Sequence, residues 1–120
     1  MRLSTLAIGF GAGRALVGVA LLAAPGPIAR AWVGADDTPA TVLTRSLGAR
    51  DLVMGAGLVL AAARVGDASR WLAGGVLADS VDGIFTLAAG DDIPSNGRVA
   101  TTALAGGSAL FGAWLARAID

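Results

Sequence analysis

An all-α fold, a four-helix bundle crossing a membrane, is what this chain predicts, and three observations carry that prediction. First, 55% of its 120 residues are hydrophobic and the mean hydropathy is +0.70, which is too apolar for an ordinary soluble domain of this size. Second, four apolar segments approach the roughly 20 residues that a helix needs to cross a bilayer. Third, those segments carry almost no polar face, so a water-soluble bundle would have little surface to offer to water.

The first segment, 3–24, ends at Pro25-Gly26-Pro27. Arg2, the apolar run and Ala23-Ala24 give it some likeness to a signal peptide. Arg14 interrupts the run where such a peptide is most apolar, so a retained helix is expected. A connector with Pro25, Pro27, Asp36, Asp37 and Pro39 leads to the second segment, 41–63. The stretch from Arg64 to Arg70 precedes the third, 71–89, and Gly90 to Gly97, with Asp91, Asp92 and Pro94, precedes the fourth, 99–118. All 120 residues are thus expected to form one integral membrane domain.

Loop charge sets the expected orientation. With the N-terminus in the cytoplasm, Arg2, Arg64, Arg70 and Arg117 lie inside against Arg30 and Arg98 outside. The expected location is therefore the inner (cytoplasmic) membrane, multi-pass, with both termini cytoplasmic. Trp32 and Trp71 then fall near the outer and inner interfaces, where indole rings are favoured.

Composition removes several function classes. All nine cations are Arg and all nine acids are Asp, giving zero net charge and no basic footprint for nucleic acid. The absence of Cys and His excludes thiol chemistry, disulfides and the usual zinc ligands, and no cofactor is expected. Asp79-Ser80-Val81-Asp82-Gly83 resembles the opening of the CDP-alcohol phosphotransferase signature. The Ala-Arg that should follow and the later Gly and paired Asp are missing, and two Asp one turn apart make an incomplete Mg²⁺ site, so no metal is expected. The glycines from Gly9 to Gly13 lack the Lys-Ser/Thr ending of a phosphate loop and read as a packing face.

The informative residues are the charges inside the segments. Arg14, Arg50, Asp51, Asp79 and Asp82 all fall near segment midpoints, and at about 1.5 Å of rise per residue they can meet at one depth. Ionisable groups at that depth must face protein or trapped water. Small residues flank each of them on the same helix face: Gly11 and Gly18 beside Arg14, Gly48 and Gly55 beside Asp51, Gly75 beside the Asp79, Asp82 and Thr86 stripe. Thr101, Ala105, Ser108 and Gly112 give the fourth segment a milder stripe, suited to packing inside the bundle or against another copy.

Two Arg and three Asp leave one negative charge, to be offset by Arg45 reaching down from the outer third or by protonation of an Asp. Such a network can simply fix helix register and partner choice. It can also bind a ligand, with Arg14, Arg45, Arg50, Asp79 and Asp82 as candidate contacts. As an enzyme it would need no cofactor: Asp79 or Asp82 as base on a water, Arg50 or Arg14 orienting a lipophilic substrate, and Asp51 as acid would suit epoxide opening or isomerisation. Proton or ion movement along the carboxylates is a third use.

The runs Arg45-Ser46-Leu47-Gly48-Ala49-Arg50-Asp51-Leu52-Val53-Met54-Gly55, Trp71-Leu72-Ala73-Gly74 and Leu77-Ala78-Asp79-Ser80-Val81-Asp82 resemble small four-helix membrane proteins of actinobacteria, a domain-of-unknown-function group loosely similar to DoxX-like proteins. The resemblance implies an inner-membrane four-helix bundle and supplies no substrate. The Cys pairs of some thiol-linked DoxX relatives are absent. Short internal echoes, such as Leu72-Ala73-Gly74-Gly75 and Leu104-Ala105-Gly106-Gly107, do not support an inverted-repeat transporter. The reading favoured from sequence is a small binding or accessory protein, a homo-oligomer or bound to a membrane partner, whose Arg/Asp network holds that partner or a small polar or amphipathic ligand; the intramembrane enzyme and the ion path are the alternatives.

Overall fold

The computed structural model describes residues 2–64 and 66–120. Its helices are α1 (Leu3–Ala23), α2 (Pro25–Val33), α3 (Thr38–Ala63), α4 (Ala68–Ala88) and α5 (Ser95–Ile119), with a single 3₁₀ turn at Gly90–Asp92. All but α2 are long and apolar enough to cross a membrane. The longest dimension is 42 Å, close to the full thickness of a bilayer with its headgroups, about 40–45 Å.

Three of the long helices begin earlier than their apolar runs, because their caps lie upstream. Asp37 caps α3, its Oδ1 accepting from the Ala40 N–H at 3.0 Å, and Pro39 fits the first turn, where its missing N–H costs nothing. Asp67 caps α4 through the Arg70 N–H at 3.2 Å. Pro94 directly precedes α5. The first connector is itself partly helical: α2 accommodates Pro25 and Pro27 in its opening turn and stops at Gly34, whose φ of 76° only glycine adopts freely.

Polarity is distributed opposite to that of a soluble bundle. Side chains turned outward include Leu16, Val19, Leu43, Leu77, Phe85 and Leu110, while the buried positions of the helices are largely Gly, Ala, Thr and Asp. Outward leucine and inward glycine suit a hydrocarbon surround, in which close backbone approach rather than apolar burial holds helices together.

The bundle consists of two intimate antiparallel pairs, α1 with α3 and α4 with α5, which meet less extensively. At the end carrying both termini, Ala7, Leu58, Ala68, Leu72 and Leu115 join all four long helices in one apolar cluster. Phe10 stacks edge-on against Phe111, with centroids 5.0 Å apart, just above it. Toward the opposite end α1 and α5 separate, and α2 lies across the top, where Gly97 of α5 abuts the carbonyls of Ala31 and Trp32.

Candidate functional site

Glycine spacing places the charges. Gly11 faces Gly55 and Gly18 faces Gly48 across the α1–α3 contact; a Cβ on Gly18 would stand 2.5 Å from the Gly48 carbonyl oxygen, and one on Gly11 2.8 Å from that of Gly55. Arg14 and Asp51 lie between these two contact points and are drawn together by them. On α4, Gly75 leaves room for the Arg14 guanidinium, whose nearest nitrogen would be 3.4 Å from a Cβ there, and Asp79 waits one turn further on.

The five mid-depth charges form one continuous chain, in the order Asp79, Arg14, Asp51, Arg50, Asp82. Arg14 donates through Nη1 to Asp51 Oδ1 at 3.1 Å and through Nη2 to Asp79 Oδ2. Arg50 donates to the same Asp51 oxygen through Nε at 3.4 Å and Nη2 at 3.2 Å. It also holds Asp82 with a two-point grip, Nη1 to Oδ1 at 3.0 Å and Nη2 to Oδ2 at 2.6 Å, the fork geometry that favours Arg over Lys. Three helices are thereby tied at one level. Arg14 and Asp79 are the most enclosed, with side chains 8% and 10% exposed, and the Arg14 guanidinium carbon lies 6.0 Å from the Phe10 ring centre.

The network is paired but not saturated. Both Asp82 oxygens accept from Arg50, whereas Asp79 Oδ1 and Asp51 Oδ2 accept no hydrogen bond among the described residues. Neither is a sealed, unsatisfied atom: the sealed side-chain atoms without partners are Trp32 Nε1 and Thr102 Oγ1. The free carboxylate oxygens have an open space beside them.

That space is a cavity of about 560 Å³ whose lining includes all five charged residues. Its walls are apolar, with Phe10, Val17 and Leu21 on α1, Leu47 on α3 and Leu104 on α5, and Ile28 and Trp32 of α2 border it as well. Thr101 and Ser108 add hydroxyl-bearing residues on the α5 side. An apolar chamber with a few convergent polar groups is the usual form of a small-molecule site. A smaller depression of about 180 Å³, lined by Ser4, Arg64, Asp67 and Asp120 among others, lies at the far end of the bundle.

Arg45 stands apart from the other candidate contacts: its Nε donates to the Leu22 carbonyl at 3.5 Å, and it does not border the cavity. The α5 stripe splits: Thr101, Ala105 and Ser108 line the chamber, while Gly112 packs against Val76 of α4. Gly9 and Gly13 also behave differently from Gly11. They border the cavity, and a Cβ on either would meet nothing within 4 Å. The contribution of Ile28 and Trp32 has no periodic signal in the sequence, because the segment holding them reads as a proline-rich connector.

Comparison of the chain with protein families, with curated proteins and with solved structures finds no match.

Proposed function

We propose that this protein is a small binding or accessory protein of the inner membrane that holds a small amphipathic molecule in the chamber above its Arg/Asp network. The observation that carries the reading is the coincidence of a roughly 560 Å³ apolar cavity with an ion network that still has free acceptor oxygens. A network serving only to fix helix register would be expected to close on itself, since unpaired buried charge is costly. Purification in native membrane discs followed by mass spectrometry tests the proposal. A defined small molecule should co-purify with the protein and be lost from Ser108→Trp, which adds a large ring to the α5 wall of the chamber. Wild-type protein that carries no such molecule, and whose melting temperature no membrane extract changes, would refute it.

We infer that both termini face the cytoplasm, and the support is the charge at the two ends of the bundle. Arg2, Arg64, Arg70 and Arg117 gather at the terminal end of the bundle, Arg70 paired with Asp67, against only Arg30 and Arg98 at the other end, paired with Asp36 and Asp91. The chain has no Cys, so Ser4→Cys and Ser95→Cys are clean reporters. Ser95→Cys should react with an impermeant maleimide in intact cells and Ser4→Cys should not; the reverse pattern inverts the topology.

A second reading has the same site transform its occupant, as a cofactor-independent epoxide hydrolase or isomerase. Its support is the free oxygen of Asp79, which suits a base better than Asp82, whose two oxygens are both held by Arg50. Asp51 would then be the acid and Arg14 or Arg50 the orienting cation. An ion path draws less support, because the apolar cluster of Ala7, Leu58, Leu72 and Leu115 closes the bundle on the terminal side of the network.

A further inference from the structure

The net charge of the network and the carboxylate oxygens it leaves open define the head of the molecule that fits it. Arg50 spends four of its five N–H donors on carboxylates, and Arg14 spends two of five, one each on Asp51 and Asp79. Two carboxylate oxygens stay open at the floor, Asp79 Oδ1 and Asp51 Oδ2, and with every group ionised the cluster of two Arg and three Asp carries a formal charge of −1. An anionic head placed there would meet carboxylate oxygens and net negative charge in a low-dielectric surround, where repulsion is strong. A donor head with positive charge would satisfy both oxygens and cancel the excess.

The path for such a molecule runs sideways. Val17 and Leu104 both line the cavity and face outward, 51% and 75% exposed, so the chamber opens between α1 and α5 toward the surrounding hydrocarbon. Gly9 and Gly13 keep the α1 side of that opening free of side chains. An amphipath dissolved in the bilayer can therefore slide in head first and leave its tail against the apolar walls.

We propose that the chamber takes a single-chain amphipathic amine from the bilayer between α1 and α5, its ammonium group bound by the free oxygens of Asp79 and Asp51. This rests on the proposal that the chamber is a ligand site, and goes further by fixing the charge of the head and the route. The ammonium of an ethanolamine phospholipid offers the same donors, but its phosphate would be brought toward the two carboxylates, so the free amine is favoured.

The test uses decylamine, decanol and decanoate titrated into the full chain in phosphatidylcholine nanodiscs, followed by Trp32 emission in a Trp71→Phe, Trp114→Phe background. Decylamine should bind saturably and at least about ten-fold more tightly than decanoate, a difference of about 1.4 kcal/mol. Asp79→Asn should remove that preference. Should this variant fail to fold, Gly13→Leu serves instead, since its side chain projects into open space; it should slow or abolish decylamine binding while leaving the melting temperature unchanged. Decanol or decanoate binding as tightly as decylamine would overturn the amine assignment while leaving the ligand site standing. Unaltered binding in Gly13→Leu would overturn the lateral route. Weaker decylamine binding in nanodiscs containing phosphatidylethanolamine would assign the site to the bilayer lipid and overturn the single-chain amine. No saturable signal from any of the three probes would overturn this inference and, together with an empty wild-type protein in the co-purification test, the ligand site as well.

Discussion

Arg14 and Asp51 meet at 3.1 Å between two glycine contacts, Gly11 with Gly55 and Gly18 with Gly48, so close backbone approach on both sides brackets the central ion pair of the bundle. The arrangement makes α1 and α3 a single rigid unit. A Cβ on Gly18 would stand 2.5 Å from both the Gly48 carbonyl oxygen and the Leu52 backbone nitrogen, neither of which can rotate away. Gly18→Ala is therefore expected to force the helices apart and to destabilise by about 1–3 kcal/mol, the usual range for overpacking. Gly13→Ala, whose added Cβ meets nothing within 4 Å, should be neutral or slightly stabilising. Thermal unfolding of the two variants in the same detergent distinguishes them, and equal losses would show that close approach at Gly18 is unimportant.

Removing Arg14 should be worse than removing its whole neighbourhood. Arg14→Leu leaves Asp51 with Arg50 alone and Asp79 with no cation, and loss of one partner from a buried pair costs about 3–5 kcal/mol. Arg14→Leu combined with Asp79→Leu restores the charge balance of the remaining Arg50, Asp51 and Asp82 to the same −1 as wild type and fills the gap with apolar volume. The double variant should therefore be more stable than the single one in a double-mutant cycle. A double variant as unstable as the sum of the two singles would mean that Arg14 and Asp79 do not act as a pair.

Much of this site is legible in the sequence because intramembrane charge is rare and glycine spacing is regular. Arg14 between Gly11 and Gly18, and Asp51 between Gly48 and Gly55, announce facing stripes before any coordinates are known. The cavity is not legible in this way. It arises because α1 packs tightly on α3 and α4 on α5 while α1 and α5 diverge, and that difference depends on how all the helices share space. Nor does the pattern distinguish Gly11, which touches α3, from Gly9 and Gly13, which border the chamber. The part played by α2 is hidden by Pro25 and Pro27, which read as a break and instead sit in the first turn of a short helix.

Outside the membrane-spanning helices, Arg30 fastens the end of α2 to the following turn, donating to Asp36 Oδ2 through Nη2 at 2.5 Å and Nε at 3.2 Å. Hydrogen bonding to Arg30, and then its positive charge, hold the Asp36 carboxyl below the usual aspartate range. Because the folded-state value is the lowered one, whatever stability this tie gives is present above the ordinary aspartate pKa and fades as the pH falls through the folded value. NMR titration should place Asp36 below the ordinary aspartate value, and Arg30→Ala should return it there. The pair is exposed, so Arg30→Ala is expected to change the neutral-pH melting temperature little. An Asp36 titration unaffected by Arg30→Ala would show that the tie does not persist.

The contact between α2 and α5 controls the cover of the chamber. Gly97 lies so close to the Trp32 and Ala31 carbonyls that any side chain there would collide with backbone, while Trp32 itself borders the cavity with its indole nitrogen sealed from solvent. Gly97→Val should push α2 away from α5 and unseal Trp32 without touching the charged floor or the apolar cluster at the terminal end. In the Trp71→Phe, Trp114→Phe background, the expected outcome is a red-shifted Trp32 emission and easier quenching by an aqueous quencher. The ion network should survive, so α1 and α3 should keep their mutual distance in a spin-label measurement between the exposed positions 16 and 53. Ligand occupancy should fall because the covered end of the chamber is opened to water, which competes for the Asp79 and Asp51 oxygens. A Gly97→Val protein with unchanged Trp32 emission would mean that α2 is not held by this contact, and the cover of the chamber would then have to depend on Ile28 and the 3₁₀ turn at Gly90–Asp92 instead.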